Sequence, residues 1–553
     1  MTETKKVYLA VFLSIVVLFV TSKLFPVEEL STEPQPEIAK VEEKPSLQPL
    51  ELEEESLTTE EALAKDKRIN ISNSALDGSL RSRGARLDNL FLLRHRQALA
   101  KDSGNVELLI PAKTDNPYYT EFGWISQDKS IKTPNSETNW TVKGNGLTAN
   151  SPVILEWNND QGVKFTRKIT VDDDYMFFVE DNIENNSGKN LSFYPYGLIS
   201  RQPDDMAKIA GIVHQGLIGV LGGSLKERKY DAIKDDKKEV FETQGGWAGF
   251  SDHYWFTSLI FNRDVKSKVT FSYPKENTFQ IDYIGEIINI ENNAVASNSI
   301  MLFAGAKEIR LIDRYARKFQ IEKFDLSIDF GWYYFLTKPF FYILDYLYNL
   351  IGNMGWAILV FAALLRLIMF PIASKSYESM GKMKKCQPKI QDIRERYPDD
   401  KRKRDQELME LYRKEKINPA SGCLPIFIQI PVFFSLYKVL NIAIEIRHAP
   451  FIGWIKDLSA PDPLTISVMT GLPIPAMLNI GVWPIVMGIT MYIQQKLGPT
   501  PANKDQARMF AFMPIIFTFI MGNFASGLVI YWTLSNILSI LQQRAIMKKH
   551  GVK

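Results

Sequence analysis

The sequence predicts a multi-domain membrane protein that joins an all-β domain to an all-α polytopic membrane domain with six transmembrane helices. Long apolar runs lie at the N-terminus and in the last third of the 553 residues, and short alternating runs fill the polar part between them. The loops between the apolar runs alternate between basic and weakly acidic, as in multi-pass membrane proteins. A formal net charge of only +3 gives no indication of nucleic-acid binding. Both cysteines, Cys386 and Cys423, lie in the last third, so the polar domain cannot hold a disulfide framework.

Residues 1–25 are predicted to form a transmembrane anchor. Lys5 and Lys6 precede an apolar run that is longer than the core of a cleaved signal peptide. A cleaved signal peptide is the alternative, although Val20-x-Ser22 matches its small-residue cleavage site poorly. The next segment, 26–68, holds five prolines and twelve glutamates, and we expect a disordered linker because such a composition cannot bury a core.

Residues 69–325 are predicted to form a β-sandwich domain. Short alternating runs bounded by Asn, Asp and Gly recur here, and residues 153–171 have the pattern of a hairpin. The histidines of this domain have no spacing typical of a metal or acid–base site. Three large aromatic residues are expected to pack in its core, with a ligand groove as the alternative: Trp247, Tyr254 and Trp255.

Residues 330–350 are predicted to form an amphipathic helix on the membrane surface. Nine of the residues from Trp332 to Asn349 are aromatic, and Tyr and Trp concentrate at the headgroup level of a bilayer. Lys338 and Asp345 share one helical face with Asn349. An ordinary core helix of the β domain is the alternative.

Five further apolar runs predict the remaining transmembrane helices. The basic segment 374–420 holds 14 Lys and Arg against 9 Asp and Glu, so we expect it to be a cytoplasmic helical hairpin. Both termini are then cytoplasmic, and the tail 546–553 is basic. The expected spans are residues 355–373, 422–440, 480–496, 509–523 and 527–545, with a periplasmic loop at 441–479 and a cytoplasmic loop at 497–508.

Arg366 is the most unusual residue of the predicted membrane domain, because it lies deep in an apolar run. None of the five spans contains Asp or Glu. A charge at the bilayer centre costs about 2.5–3.5 kcal/mol on insertion scales, so such residues usually face a cavity or a partner. Arg366 lies about 12 Å from the cytoplasmic edge at 1.5 Å per residue, and Gln429 and Asn536 lie at about 10 Å.

Two interpretations of this polar level remain open. The side chains form either a hydrated, positively charged pocket open to the cytoplasm, or an arginine that extends to the cytoplasmic surface beside helix-joining Gln429 and Asn536. Trp532 lies one turn above Asn536 on the same predicted helix. A pocket with a cation but no resident anion favours a partner that arrives from outside.

Ordered motifs follow one another between residues 330 and 547. They are Arg366 with Pro371, KCQPKIQDIRERYPDDK at 385–401, NPASGCLPIFIQIPVFFSLYKVL at 418–440, EIRHAPFIGWIKDLSAPDP at 445–463, and MPIIFTFI and SGLVIYWTLSN from 513 onward. With the order of anchor, β domain and spans, they resemble the YidC/Oxa/Alb family of membrane protein insertases. The outer loop at 464–483 is similar to that of alphaproteobacterial members. The resemblance implies a bacterial inner (cytoplasmic) membrane location and a periplasmic β domain with a super-sandwich fold.

The resemblance implies an insertase and folding chaperone, not an enzyme. It would insert nascent membrane proteins into the lipid bilayer, alone or with the Sec translocon and its accessory subunits. The ribosome and the signal-recognition-particle receptor are implied partners of the hairpin and tail. No cofactor or metal is expected, and the chain has no GxxxxGK[ST] phosphate loop.

Several predicted spans contribute to the substrate groove that the family implies. Arg366 and Gln429 match its polar positions, and Tyr531 or Trp532 matches an aromatic of the last span. Asn536 joins them because of its depth. Ala362 departs from the family, since some relatives carry a hydroxyl there, and the groove would be less polar at that point.

Two other classes of function fit parts of the sequence. An anion transporter could use Arg366 as its binding site, although such proteins usually show inverted repeats. A periplasmic sugar-binding or epimerising enzyme could be anchored by the spans, although a fold alone does not imply that chemistry. Solute uptake in liposomes would identify the first class. Deletion of residues 70–310 separates the second from an insertase, whose activity should survive that deletion.

Overall fold

The structure, a computed structural model, describes residues 57–100, 102–203, 213–415, 417, 424–498 and 504–549. The predicted anchor at 1–25 and most of the predicted linker at 26–68 lie outside the described residues, as do the last four residues of the predicted tail. The described part forms a domain of β-strands followed by a bundle of helices.

Two antiparallel sheets make up the polar domain in the described residues. One follows the order β1-β2-β3-β5-β10-β17-β16-β13, with β4 on β3 and β18 on β10, and the other follows β12-β11-β14-β15-β19-β9-β8-β7-β6. The strands are β1 (Arg68–Ser72), β2 (Leu76–Arg81), β3 (Leu87–Arg96), β4 (Asn105–Leu109), β5 (Tyr118–Ser126), β6 (Thr141–Lys143), β7 (Val153–Asn158), β8 (Val163–Val171), β9 (Met176–Asn185), β10 (Leu191–Arg201), β11 (Gly216–Leu221), β12 (Ser224–Arg228), β13 (Lys238–Gln244), β14 (Trp247–Ser251), β15 (Trp255–Ile260), β16 (Lys266–Lys275), β17 (Thr278–Ile284), β18 (Ile288–Ile290) and β19 (Ala294–Ala306).

The sequence pattern of β8 shows why these segments form a sandwich. Its residues alternate between buried and half-buried along the whole strand, because successive side chains point to opposite faces of a sheet. It pairs with β9 in one continuous register, with Thr166 opposite Asn182. Phe165 from one sheet packs edge-on against Phe193 from the other, at 5.9 Å between ring centroids. The predicted β-sandwich is confirmed.

The last part of the predicted disordered linker is ordered, which corrects that prediction. Helix α1 (Thr59–Ala64) begins with a capping box in which the Thr58 side chain accepts from Glu61 N and the Glu61 carboxylate accepts from Thr58 N. These bonds satisfy two backbone donors at the helix start. The acidic composition concealed this short local signal, and β1 follows directly at Arg68.

Three helices belong to the polar domain or adjoin it. Helix α2 (Tyr230–Asp236) precedes β13, and α3 (Ile309–Lys318) follows β19. Helix α4 (Tyr334–Ile351) covers the predicted amphipathic segment. Its Lys338 Nζ lies 2.9 Å from Asp313 Oδ1 on α3, and its Asp345 pairs with Arg310. The polar face of α4 therefore contacts α3, and α4 also packs against α5 and α8 of the helical bundle.

The helical part begins with α5 (Met354–Lys385), which runs twelve residues past the predicted span end at 373. Among the described residues, α5 is the helix whose length and apolar composition would allow it to cross a membrane. A shorter apolar stretch, Ala507–Met521, lies within α11. The remaining helices are α6 (Gln387–Arg396), α7 (Lys401–Lys414), α8 (Leu424–Ile442), α9 (Ile466–Thr470), α10 (Val482–Leu497), α11 (Lys504–Met521) and α12 (Ser526–Lys549).

Candidate functional site

Helix α5 carries Arg366 well inside its apolar part. The helix begins where the Asn353 side chain accepts a hydrogen bond from Trp356 N at 3.1 Å, a standard N-terminal cap. The Arg366 Nε donates to Ser535 Oγ on α12 at 3.2 Å. Its Nη2 donates to Ser535 O at 3.1 Å and to Ser535 Oγ at 2.9 Å. Arg366 thus contacts neutral acceptors, and among the described residues it forms no ion pair with a carboxylate.

A second hydrogen bond joins α8 to α12 beside the arginine. Gln429 Nε2 donates to Tyr531 Oη at 2.9 Å, and Tyr531 is 2% exposed. Tyr531 precedes Ser535 by four residues, so both lie on the same face of α12. Arg366 and Gln429 therefore both contact this face of α12, Arg366 through Ser535 and Gln429 through Tyr531.

Trp532 and Asn536 lie on other faces of α12. The Trp532 ring packs against Phe433 at 4.7 Å and Phe517 at 5.8 Å between centroids. Asn536 Nδ2 donates to Thr490 Oγ1 on α10 at 3.2 Å. Each follows a residue of the polar face by one position, which turns it by about 100° around the helix. The structure does not bring these two side chains to Arg366.

The three helices that contribute to this polar face do not pack equally closely. Helix α12 packs closely against α5 and α10, whereas α8 packs mainly against α4 and touches α5 and α12 only lightly. Arg366 and Gln429 remain half-buried between them. Ala362, where the sequence departs from some relatives, is buried in the bundle. It therefore lies in the packed core of the bundle.

The aromatic residues singled out in the β domain have structural partners. Trp247 is fully buried and its Nε1 donates to Glu322 O at 3.0 Å. Tyr254 and Trp255 lie under the Arg447 guanidinium, 5.7 and 5.5 Å from its carbon. Core packing, and for the last two packing at the junction with the helical part, accounts for them.

Histidines and carboxylates do not form a metal site in the described residues. Burial lowers the pKa of His214 to about 4, and His253 Nε2 contacts Asn441 O at 2.6 Å at the end of α8. Burial lowers the pKa of His253 as well. Both rings are therefore neutral at pH 7 and have packing roles at the junction.

The fold and the site define a membrane-associated protein with a large β-sandwich domain and a helical bundle that holds a half-buried arginine beside a polar face. Comparison with known proteins makes the class specific. A family model described as the YidC periplasmic domain matches residues 68–343, and one described as 60Kd inner membrane protein matches residues 346–553.

Curated relatives cover nearly the whole chain. The membrane protein insertase YidC of Methylobacterium nodulans is 48% identical over 516 residues, which are 90% of this chain and 85% of the relative. That of Rickettsia rickettsii is 47% identical over 489 residues, 87% of each chain. A solved structure described as an active YidC insertase is 20% identical with a TM-score of 0.36, covering 86% of this chain and 92% of the other. The chain belongs to the YidC family of membrane protein insertases, as its motifs predicted.

Proposed function

We propose that this chain inserts nascent membrane proteins through a groove between α5, α8 and α12 that is centred on Arg366. The observation that carries the proposal is an arginine among apolar helices whose described partners are neutral oxygen atoms. Gln429 and Tyr531 extend the polar surface along the groove. Trp532 and Asn536 hold α12 against its other neighbours.

The charge of Arg366 explains how such a groove would work. A nascent protein must move a polar, often acidic segment across the bilayer, and desolvation of that segment is the main cost. A fixed cation in a hydrated groove attracts the acidic segment before it leaves water. No covalent step or nucleotide is needed. The apolar segment of the substrate then leaves through the lightly packed side at α8.

The topology and partners are part of the same proposal. Six spans, including the N-terminal anchor, would place both termini and the basic hairpin in the cytoplasm and the β domain in the periplasm, as the loop charges favour. The groove would open to the cytoplasm. The hairpin and tail would contact the ribosome or the signal-recognition-particle receptor, and the Sec translocon would share substrates with the groove.

Replacement of Arg366 tests the groove. In proteoliposomes, Arg366→Ala should lower insertion of a substrate with an acidic translocated segment about tenfold, whereas Arg366→Lys should retain most of it. Two charges about 10 Å apart at an effective dielectric constant of about 20 interact by about 1.7 kcal/mol, which is close to that factor. Insertion is measured as the fraction of substrate that becomes protected from protease.

Two controls isolate the charge. Arg544→Ala removes an exposed arginine from the same helix, α12, and should leave insertion unchanged. A substrate whose acidic residues are replaced by their amides should be inserted equally by the wild type and by Arg366→Ala. Equal insertion of the acidic substrate by the wild type and by Arg366→Ala would contradict the proposal.

A further inference from the structure

A cavity of about 490 Å³ lies where the polar domain meets α4. None of the groove residues lines it, and its lining is rich in charge. Four arginines and two carboxylates line it: Arg94, Arg310, Arg314, Arg317, Asp174 and Glu308. The lining therefore carries an excess of two positive charges.

Three of these arginines form one face of α3. Arg310, Arg314 and Arg317 are spaced by four and three residues, which places them side by side on a helix. The side chains of Arg310 and Arg314 are 59% and 58% exposed, so they reach outward from the cavity wall. This is a basic stripe on the helix that follows the β domain.

The carboxylates nearby use only part of the donor capacity of the arginines. Asp174 is shared by Arg94, at 2.7 Å, and by Arg314, and Arg310 pairs with Asp345. Arg317 donates from its Nε to the Asp313 backbone oxygen at 3.2 Å. Each guanidinium has five N–H donors. Several donors therefore remain to bind an anion with more than one oxygen.

The cavity borders the apolar surface of α4. Tyr342 lines the cavity, and the next residues around the helix are exposed and apolar: Phe335 at 55%, Tyr346 at 65% and Leu350 at 71%. Exposed Tyr, Phe and Leu beside a basic face are typical of a helix at the boundary between headgroups and acyl chains. Charged and apolar surfaces thus meet at the mouth of the cavity.

We propose that this cavity binds the phosphate of an anionic phospholipid headgroup, with Arg310, Arg314 and Arg317 as its ligands. The inference rests on the predicted position of α4 at the membrane surface. Arginine binds phosphate oxygens in pairs through its planar fork, and the acyl chains would lie along the exposed apolar face of α4. A bound lipid would hold the β domain against the bilayer. A free phosphate has the same charged group but no acyl chains to contact the apolar face of α4.

Lipid retention by the purified full-length chain tests the proposal. The variant Arg310→Gln/Arg314→Gln/Arg317→Gln should retain at least tenfold less phosphatidylglycerol than the wild type when intact complexes are weighed by native mass spectrometry. Lys164→Gln/Lys168→Gln/Lys189→Gln removes three charges from partly exposed positions of the β domain and should retain lipid as the wild type does. Equal retention by the two triple variants would overturn the proposal.

Competition separates the two sources of phosphate. Phosphatidylglycerol should bind at least tenfold more tightly than phosphatidylcholine or inorganic phosphate, and displacement by millimolar inorganic phosphate would overturn the lipid assignment. Should the triple variant unfold, the single variant Arg317→Gln replaces it. Arg317 donates to a backbone oxygen, and unchanged lipid binding by this variant would count against the proposal.

The position of α4 is measured separately, through the exposed Trp332. The fluorescence of Trp332 is the difference between the wild type and Trp332→Phe. Brominated lipids should quench it, because this ring is 87% exposed beside α4. Absence of quenching would overturn the lipid site. The lipid measurement contains no nascent chain, so a failure of the Arg366 experiment leaves its outcome intact.

Discussion

Among the described residues, Arg366 is held by one residue of the neighbouring helix, Ser535, which carries no charge. Hydrogen bonds between a charged group and neutral partners contribute about 1.5–3 kcal/mol each, so the contacts with Ser535 offset much of the insertion cost of a buried charge. The Ser535 backbone oxygen also accepts from Ser539 Oγ at 2.7 Å. This acceptor is shared, and a carboxylate would be a better partner for Arg366 than the serine.

Glu445 provides a pH-dependent contact between the two parts of the chain. Its Oε1 accepts from Ile309 N at the start of α3 at 3.0 Å, and its Oε2 is buried with no hydrogen bond among the described residues. Burial, together with the neighbouring carboxylates of Glu308 and Asp345, raises the pKa of Glu445 to about 7. A carboxyl whose pKa rises on folding stabilises the folded state below its unfolded pKa, and this contribution is lost as the pH rises towards 7.

Replacement of Glu445 should remove this pH dependence. At pH 5 and below, Glu445→Gln should have nearly the stability of the wild type, and above pH 7 it should be more stable by up to about 3 kcal/mol, since each pKa unit corresponds to about 1.4 kcal/mol. The measurement is the denaturant midpoint of the full chain between pH 4.5 and 8. Glu180→Gln, an exposed residue of β9, is the control. A difference between Glu445→Gln and wild type that does not vary with pH would contradict the assignment.

Single residues of the site differ in how well the sequence predicts them. Arg366 and Gln429 were predictable because a polar side chain in an apolar run is rare and its depth can be counted. Ser535 was missed, since serine is common in helix packing and carries little signal by itself. Asn536 has a similar depth to Arg366 but faces α10, because depth fixes the level of a side chain and not its direction around the helix.

Among the three helices of the proposed groove, α8 packs least closely against the other two. Its contacts are mainly with α4, and Phe427, Ile430 and Phe434 remain exposed along it. In a lightly packed helix pair, local separation costs little, because few apolar contacts are lost. The side of the bundle between α8 and α5 is therefore the expected exit to lipid.

Photocrosslinking tests the role of α8. A photoreactive side chain in place of Gln429 should crosslink to a ribosome-bound nascent chain at least fivefold more than one in place of Ile489. The control residue is 55% exposed on α10, away from the groove. Equal yields at the two positions would show contact with substrate all around the bundle and would argue against a defined groove.

At the level of elements, alternation of side chains predicted the strands well, and two helices differed from expectation. Helix α1 was hidden by the composition of its surroundings, although its capping pattern was present in the sequence. For α4, the sequence identified the polar face that carries Lys338 and Asp345. In the structure these two residues form ion pairs with Asp313 and Arg310 of α3. A helical face rich in charge indicates a polar environment and does not distinguish water from a charged protein surface.

Polar contacts join the polar domain to the helical bundle, and the bundle residues Lys438 and Arg447 lie within the short segment 438–447. Lys438 Nζ lies 2.7 Å from Asp329 Oδ2, and Arg447 donates to the backbone oxygens of Arg96 and Gln97 at 2.8 and 2.9 Å. Such contacts fix orientation, because each hydrogen bond requires a particular geometry. The β domain is therefore docked on the bundle, and α3 is the element between them.

Two deletions separate the contribution of α3 from that of the sheets. Removal of residues 69–306 keeps α3 and should leave the unfolding midpoint of the bundle within a few degrees of that of the full chain. Removal of residues 69–325 should lower the midpoint further and reduce insertion, because Lys338 loses Asp313 and Asp325, and buried Asp345 loses Arg310. Each buried polar group left unpaired costs about 1–3 kcal/mol. Thermal unfolding in proteoliposomes and protease protection of substrate give the two readouts, and equal behaviour of the two deletions would show that α3 contributes nothing beyond the sheets.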